Sequence, residues 1–518
     1  MEAVEQIGKA RQAPGRFTFV QKPLAALGFM ALADILFYWE RIGTTLGFFF
    51  LSLLAFALIV RPDIVRDRDA RAAAAGAGVF GLVAAYDPSL LVTGLFLVML
   101  TLAILLPRTR GFDDGWRWAQ RLGWHWLRAP LAPLRDWSRV RAAGARRSLG
   151  LWRNSHVLAL PLLGSLIFLS LFAVANPLIG GALAGIDLNS LFGGLYVTRI
   201  LFWLVVLAIV WSVLRPGPML LLAEREGSAD VALPGVGMRS LTLSFLAFNA
   251  VFALNNVLDI AFLWSGAPLP QGMTLAAYAH RGAYPLIATA LLAALFVLVT
   301  LRPGSETASN PLIRRLVYAW IAQNVLLVAS TMLRTFDYIE AYSLTRLRIA
   351  ALIWMGLVAI GLFLICYRIW KSKSGSWLIN ANLAASLIAL GFCSVADLGR
   401  MAAAWNVRHA REAGGAGADL DTCYLRGLGA SALLPMIELE GRTRDPGLRQ
   451  RIGWARIDTM QSLRNWQGNW RGWTMLGALR LQAAEEAVAR RRLPPAYGPW
   501  RDCDKPLDHQ PLTGRKAG

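Results

Sequence analysis

Residues 90–110 read LLVTGLFLVMLTLAILLPRTR, and this stretch decides the fold. No side chain from Leu90 to Pro107 carries a charge, and Arg108 and Arg110 follow at once. A helix needs roughly 20 mainly apolar residues to cross about 30 Å of hydrocarbon. Basic residues just beyond its end mark the cytoplasmic side. The stretch therefore predicts a membrane-spanning helix that ends inside the cell.

The same reading, carried outward along the chain, predicts eleven spans: 23–38, 43–60, 71–87, 89–106, 156–177, 199–214, 239–261, 277–301, 315–336, 347–369 and 377–397. The first is short and holds Asp34, but Leu36-Phe37-Tyr38-Trp39 carries it into an aromatic belt. Lys22 followed by an apolar run and Ala31-Leu32-Ala33 also fits a signal peptide. Its apolar core would be at the short limit, so a span is the expectation. Composition agrees, with 56% hydrophobic and 16% charged residues in 518, against about 25% charged in soluble proteins. Disorder, fibrous repeats and an ordinary cytosolic enzyme are excluded.

Charge sets the direction. With the N-terminus inside, the inner segments 1–22, 61–71, 107–154, 215–239, 302–315 and 368–376 hold 28 Lys and Arg. The outer connections hold six: Arg41, Arg199, Arg281, Arg334, Arg346 and Arg348. This asymmetry is the positive-inside pattern. An odd number of spans then puts residues 400–518 outside, which in a bacterium is the periplasm beyond the inner membrane. The expected organisation is a cytoplasmic tail (1–22), four spans (23–106), a cytoplasmic interfacial segment (107–154), a seven-helix core (155–399), a periplasmic helical domain (400–492) and an extended Pro-rich tail (493–518).

The segment 107–154 carries eleven Arg and six Trp. On a helix, Arg117, Arg121 and Arg128 form one stripe and Trp118, Leu122 and Trp126 another. A basic amphipathic helix of this kind lies in the headgroup region of a membrane rich in anionic phospholipid. Nucleic-acid binding is the alternative, and the interleaved apolar face argues against it. In the C-terminal region, helices are expected near 419–428, 430–439, 447–464 and 474–490. Trp466, Trp470 and Trp473 would share a helical face, with packing inside the domain expected and docking on the outer membrane surface the alternative. Cys366 and Cys393 fall in spans, as apolar fillers. Cys423 and Cys503 would lie in the periplasm, where a disulfide and two separate thiols are both open.

Residues 76–81 match GxGxxG inside an apolar span, where no dinucleotide binds. Ala72/Gly76 and Ala77/Gly81 instead make small-xxx-small pairs for close helix packing. There is no Walker A, CxxC or GxSxG sequence, and the five histidines are scattered. No catalytic residue, metal or cofactor is therefore expected.

The informative constellation is polar. Asp259, His280, Arg281, Arg334, Asp337, Glu340, Arg346, Arg348, Asp397 and Arg400 all come out at the outer ends of the later spans. Asn249, Asn255, Asn256, Gln323 and Asn324 lie at mid-depth. Charge near a span is costly and tends to pair or to serve a function. A basic outer basin would suit an anionic or lipid-linked molecule, whereas anchoring and helix–helix bonding are the plain alternatives.

Four stretches carry a resemblance: Tyr278–Tyr284 (YAHRGAY), Tyr342–Arg348 (YSLTRLR), Asn406–His409 (NVRH) and Leu420–Leu425 (LDTCYL). Over residues 155–430 the chain resembles a family of uncharacterised bacterial inner-membrane proteins catalogued as a domain of unknown function. The resemblance implies a multi-span protein with a helical C-terminal extension, and no reaction. Three functions remain open. Transport or handling of an anionic or lipid-linked molecule comes first. A membrane scaffold or sensor, with the periplasmic domain binding a protein partner, comes second. A polyprenyl-phosphate glycosyltransferase comes last, because its acidic first outer loop is represented only by Glu40.

Overall fold

The computed structural model describes residues 21–109, 111–137, 165, 197–217, 219, 238–261 and 310–495. Every regular element among them is helical. Nine of the eleven expected spans coincide with helices. Of the other two, 156–177 is described only at residue 165, and 277–301 lies outside the described residues. Six helices among the described residues are long and apolar enough to cross a membrane: Leu90–Arg108, Val197–Leu214, Met238–Asp259, Pro311–Tyr342, Arg346–Trp370 and Gly375–Val395. The chain divides into two units, residues 1–113 with 117–224, and residues 114–116 with 225–518.

The first unit contains α1 (Gln21–Phe37), α2 (Thr45–Val60), the short α3 (Asp63–Arg66), α4 (Arg68–Tyr86), α5 (Leu90–Leu105), α6 (Gly115–Arg128) and α7 (Val197–Leu214). The small residues of α4 let its neighbours close in. Gly81 meets Leu51 of α2, and Ala77 is fully buried. A Cβ on Gly47 would stand 2.3 Å from the backbone nitrogen of Ala85, so only glycine permits this α2–α4 approach. The Thr44 hydroxyl donates to the Ala85 carbonyl at 2.7 Å in the same place. Phe50 and Phe96 stack at 4.1 Å between α2 and α5.

Contacts along this unit fix helix directions. Tyr38 bonds Thr198 at 3.1 Å, and Asp34 accepts from Arg199 and from the Trp203 indole, each at 2.9 Å. The end of α1 therefore faces the start of α7. Arg108, just past α5, donates to the Pro216 and Gly217 carbonyls, both at 2.9 Å. Helices α5 and α7 thus end together.

The second unit opens with α8 (Met238–Asp259), α9 (Pro311–Tyr342), α10 (Arg346–Trp370) and α11 (Gly375–Val395). Their starts are written in the sequence. The Asn310 side chain accepts from the Leu312 and Ile313 amides ahead of Pro311, and Thr345 and Ser374 cap α10 and α11. Phe245, Ile313, Val317, Trp320 and Val328 form the core of the α8–α9 pair, joined by Met355, Leu362, Ile365 and Leu378. At 32 residues, α9 is about 48 Å long. It overruns the expected span 315–336 and carries Asp337, Tyr338 and Glu340 beyond it.

The chain then continues through α12 (Leu398–His409), α13 (Thr422–Gly427), α14 (Leu433–Arg442), α15 (Pro446–Gln467) and α16 (Met475–Arg491). These helices share one core, made of Ala402, Ala403, Leu425, Leu433, Met436, Leu448, Ile452 and Leu463, with Ile349 of α10. A fully buried ion pair sits within it. Arg456 donates two hydrogen bonds to Glu440, at 2.7 and 3.1 Å, and a third to the Pro494 carbonyl at 2.8 Å. The tryptophan face expected near 466–473 does not form, because α15 stops at Gln467 before Gly468. Trp466, Trp470 and Trp473 are 36%, 60% and 38% exposed around the following turn.

Candidate functional site

Three of the signature stretches meet in space. The turn between α9 and α10 is Ser343-Leu344-Thr345. The Leu344 amide donates to the Asn406 side-chain oxygen at 2.6 Å, and the Asn406 amide returns a bond to the Leu344 carbonyl at 2.9 Å. Asn406 is 4% exposed, so both bonds are sheltered. Two residues further, at the start of α10, the Arg346 amide donates to the Tyr424 hydroxyl at 2.9 Å. Gly399 leaves room for the Arg346 guanidinium, since a Cβ there would lie 2.6 Å from it. The stretches 342–348, 406–409 and 420–425 thus build one junction, in which α12 and α13 grip the loop between two apolar helices.

The loop itself is strained. Ser343 has φ +68° and ψ 165°, a region reached almost only by glycine and costing about 1–3 kcal/mol elsewhere. Arg348 holds the turn from the other side. Its guanidinium donates to the Tyr342 carbonyl at 2.6 Å and to that of Ser343, and it lies 4.1 Å from the centre of the Tyr338 ring. Asp397 caps α12 by accepting the Arg400 amide at 2.9 Å and pairs with Arg480 of α16. This ties α16 to the residue that follows the last span.

The rest of the charged constellation is placed as follows. Asp259 and Arg334 pair with each other, with side chains 6% and 10% exposed. Asn255 donates to Asp259 at 3.4 Å. Asp337, half-buried, and Glu340, exposed, lie nearly one turn apart on α9. His280 and Arg281 lie outside the described residues. The mid-depth amides bond across α8 and α9. Gln323 donates to Asn249 at 2.7 Å, Asn249 to the Leu316 carbonyl at 3.0 Å, and Asn256 to the Gln323 carbonyl at 3.2 Å. Asn324 turns back on its own helix, to the Trp320 carbonyl at 2.8 Å. Residue numbers rise together along both helices, so α8 and α9 run parallel.

On α6, Trp118 is 1% exposed and packs into the core of the first unit. Arg121 is 8% exposed and forms a two-pronged bond with Asp113, at 2.6 and 2.8 Å. Arg117, Leu122, Trp126 and Arg128 are half-buried. Among the described residues, the exposed large apolar positions of this region are Phe112, Trp116, Leu127, Leu134 and Trp137. His125 is pushed down to about 4 by burial, with the Arg108 charge adding to it. At α3, burial pushes the Asp63 carboxyl up, but the hydrogen bonds and charge of Arg61 outweigh it and hold the group below its ordinary value.

Cys423 is disulfide-bonded, while Cys366 and Cys393 are free thiols. The partner expected for Cys423, Cys503, lies outside the described residues. Among the described residues, no cluster of His, Cys, Asp and Glu is arranged to hold a metal ion. Asn406, Tyr424 and Arg480 were given no role by sequence reasoning. The signal for the first two was their presence in the signature stretches.

No curated protein and no solved structure matches the chain. A family model described as a domain of unknown function (DUF4153) matches residues 74–439, more than half of the chain. The junction and the α8–α9 pair that carries the mid-depth amides fall within that range, and the protein belongs to the DUF4153 family.

Proposed function

We propose that this protein is an inner-membrane scaffold whose C-terminal helices recognise a partner on the periplasmic side. The observation that carries the proposal is the junction. The family-signature residues clamp α12 and α13 onto the α9–α10 loop, while the side-chain amide donors of Asn249, Asn256 and Gln323 are spent within the α8–α9 pair, which leaves the acceptor oxygens of Asn256, Gln323 and Asn324 without a partner among the described residues. Asp259 is closed on Arg334, and the amides of α8 and α9 bond across the helix pair. A transport path needs such groups to be available to cargo.

Helix directions support eleven spans. Parallel α8 and α9 need a return crossing between them, as span 277–301 would supply. Helices α5 and α7 end together, so the chain between them must cross once, as 156–177 would. The bonded state of Cys423 supports an oxidising compartment for the C-terminal helices. The exposed apolar face around α6 supports an interfacial role toward anionic phospholipid.

In vesicles of phosphatidylethanolamine and phosphatidylglycerol, the purified protein is expected to leave the flip rate of a fluorescent phospholipid at the protein-free value. In native membranes, photo-reactive residues on α14 and α15 should give discrete adducts, whereas one at Ile388 on the exposed face of α11 should give lipid alone. Protein-dependent flipping that Arg334→Gln changes would overturn the scaffold and restore the transport reading.

A further inference from the structure

An open groove of about 560 Å³ lies between the C-terminal end of α12 and that of α14. Arg408, Arg442 and Arg444 line it together with Glu412, over an apolar floor that includes Val407 and Leu439. Its volume falls within the range of about 300–1,000 Å³ that small-ligand sites occupy.

The charges there are unevenly used. Both carboxylate oxygens of Glu412 accept from the Leu420 amide, at 3.0 and 3.1 Å. Arg442 pairs with Glu438 at 2.8 Å, outside the groove lining. Arg408 and Arg444 have no ion pair among the described residues.

Helix C-termini attract basic residues for their own sake. That accounts for Arg408 in the last turn of α12 and Arg442 in the last turn of α14. It does not account for Arg444, which lies past the end of α14. A second observation is independent of charge. Thr443 lines the groove at 4% exposure, and its hydroxyl has no hydrogen-bond partner among the described residues. A buried hydroxyl left unpaired is costly, and native structures rarely keep one.

We infer that this groove binds a phosphate-type oxyanion, held by Arg408 and Arg444, with the Thr443 hydroxyl as a further donor and Val407 and Leu439 against an apolar portion of the ligand. Guanidinium forks suit phosphate oxygens. The inference rests on the reading of the C-terminal helices as the recognition part of the protein. Two sources supply this chemistry, a soluble phosphoester and a phospholipid headgroup. Arg408 lies eleven residues beyond Asp397, about 16 Å along α12 from the end of the last span. A headgroup therefore reaches it only where α12 lies along the interface.

The experiment uses the full-length protein in nanodiscs. One arm holds only phosphatidylcholine and is titrated with inorganic phosphate and with glycerol 3-phosphate. The other replaces part of that lipid with phosphatidylglycerol. Ligand binding is read from the thermal unfolding midpoint and from direct titration. Stabilisation by the soluble anions identifies a soluble ligand, and stabilisation in phosphatidylglycerol alone identifies a headgroup. In either case the R408Q/R444Q variant, altered only at exposed positions, should bind at least about tenfold more weakly. Thr443→Val should weaken binding while leaving the unliganded midpoint unchanged or higher.

The proposal is overturned if neither arm stabilises the wild-type protein, or if both variants bind as it does. Absence of binding together with a protein-free flip rate removes the groove and leaves the scaffold standing. Accelerated flipping removes the scaffold whatever the groove binds.

Discussion

Asp259 and Arg334 show how context decides the worth of a charge. Each alone is a liability near the end of an apolar helix, and together they are buried and paired. Removing one member of such a pair leaves an uncompensated charge, which costs about 3–5 kcal/mol. Arg334→Gln is therefore expected to lower the unfolding midpoint sharply, and Asp259→Asn in the same chain should restore much of the loss. Additive losses in that double-mutant cycle would contradict the pairing. His125 makes a different case. Its folded-state pKa of about 4 lies below the ordinary 6.5, so the folded protein prefers the neutral ring. Above pH 6.5 both states are neutral and the stability is complete. As the pH falls from 6.5 toward 4 the unfolded chain takes up the proton first, and stability declines by about 3 kcal/mol. Unfolding midpoints measured across that window should flatten in His125→Gln.

At the scale of elements, the loop between α9 and α10 balances strain against support. Ser343→Gly relieves the backbone penalty at φ +68° and is expected to stabilise by about 1 kcal/mol or more. Asn406→Ala removes both bonds to Leu344 and leaves two sheltered backbone groups unpaired, at a cost of about 1–3 kcal/mol. Amide exchange at 343–346 should slow in the first variant and quicken in the second. The long apolar helices were legible because hydropathy over roughly 20 residues is a strong signal, and Asn310-Pro311 and Ser374 announce two of their starts. Helix α12 escaped detection because its buried face is Gly399, Ala402, Ala403, Asn406 and Val407, small or polar residues with little hydropathic weight. The tryptophans at 466–473 were misread because helical spacing was projected through Gly468 and Gly472, where the helix has ended. Trp470→Ala, at a 60% exposed position, should shift the midpoint little.

For the whole molecule, hydropathy assigns the charged residues to one end of the later spans, but it does not give their use. One sequence says that Asp259, Arg334, Arg348 and Asp397 share a depth. It does not say that Asp259 and Arg334 take each other while Arg348 turns to the 342–343 carbonyls and Asp397 to Arg480, because partner choice depends on helix rotation and crossing, which hydropathy does not encode. Orientation has a direct measurement. With Cys366 and Cys393 replaced by Ser, a cysteine introduced at the exposed Arg449 is expected to react with an impermeant maleimide in intact spheroplasts. One placed at exposed Arg68 should react only after lysis. The reverse pattern would invert the protein and discard the periplasmic reading.

The grip of Asn406 on Leu344 also sets an order of events during synthesis. The ribosome delivers the 343–345 turn some sixty residues before the side chain that secures it, after two more apolar helices have entered the translocon. Until then the bent Ser343 backbone is held only by Arg348, with no bond from α12. The clamp therefore closes only once α12 has been made, so this turn is completed late in synthesis.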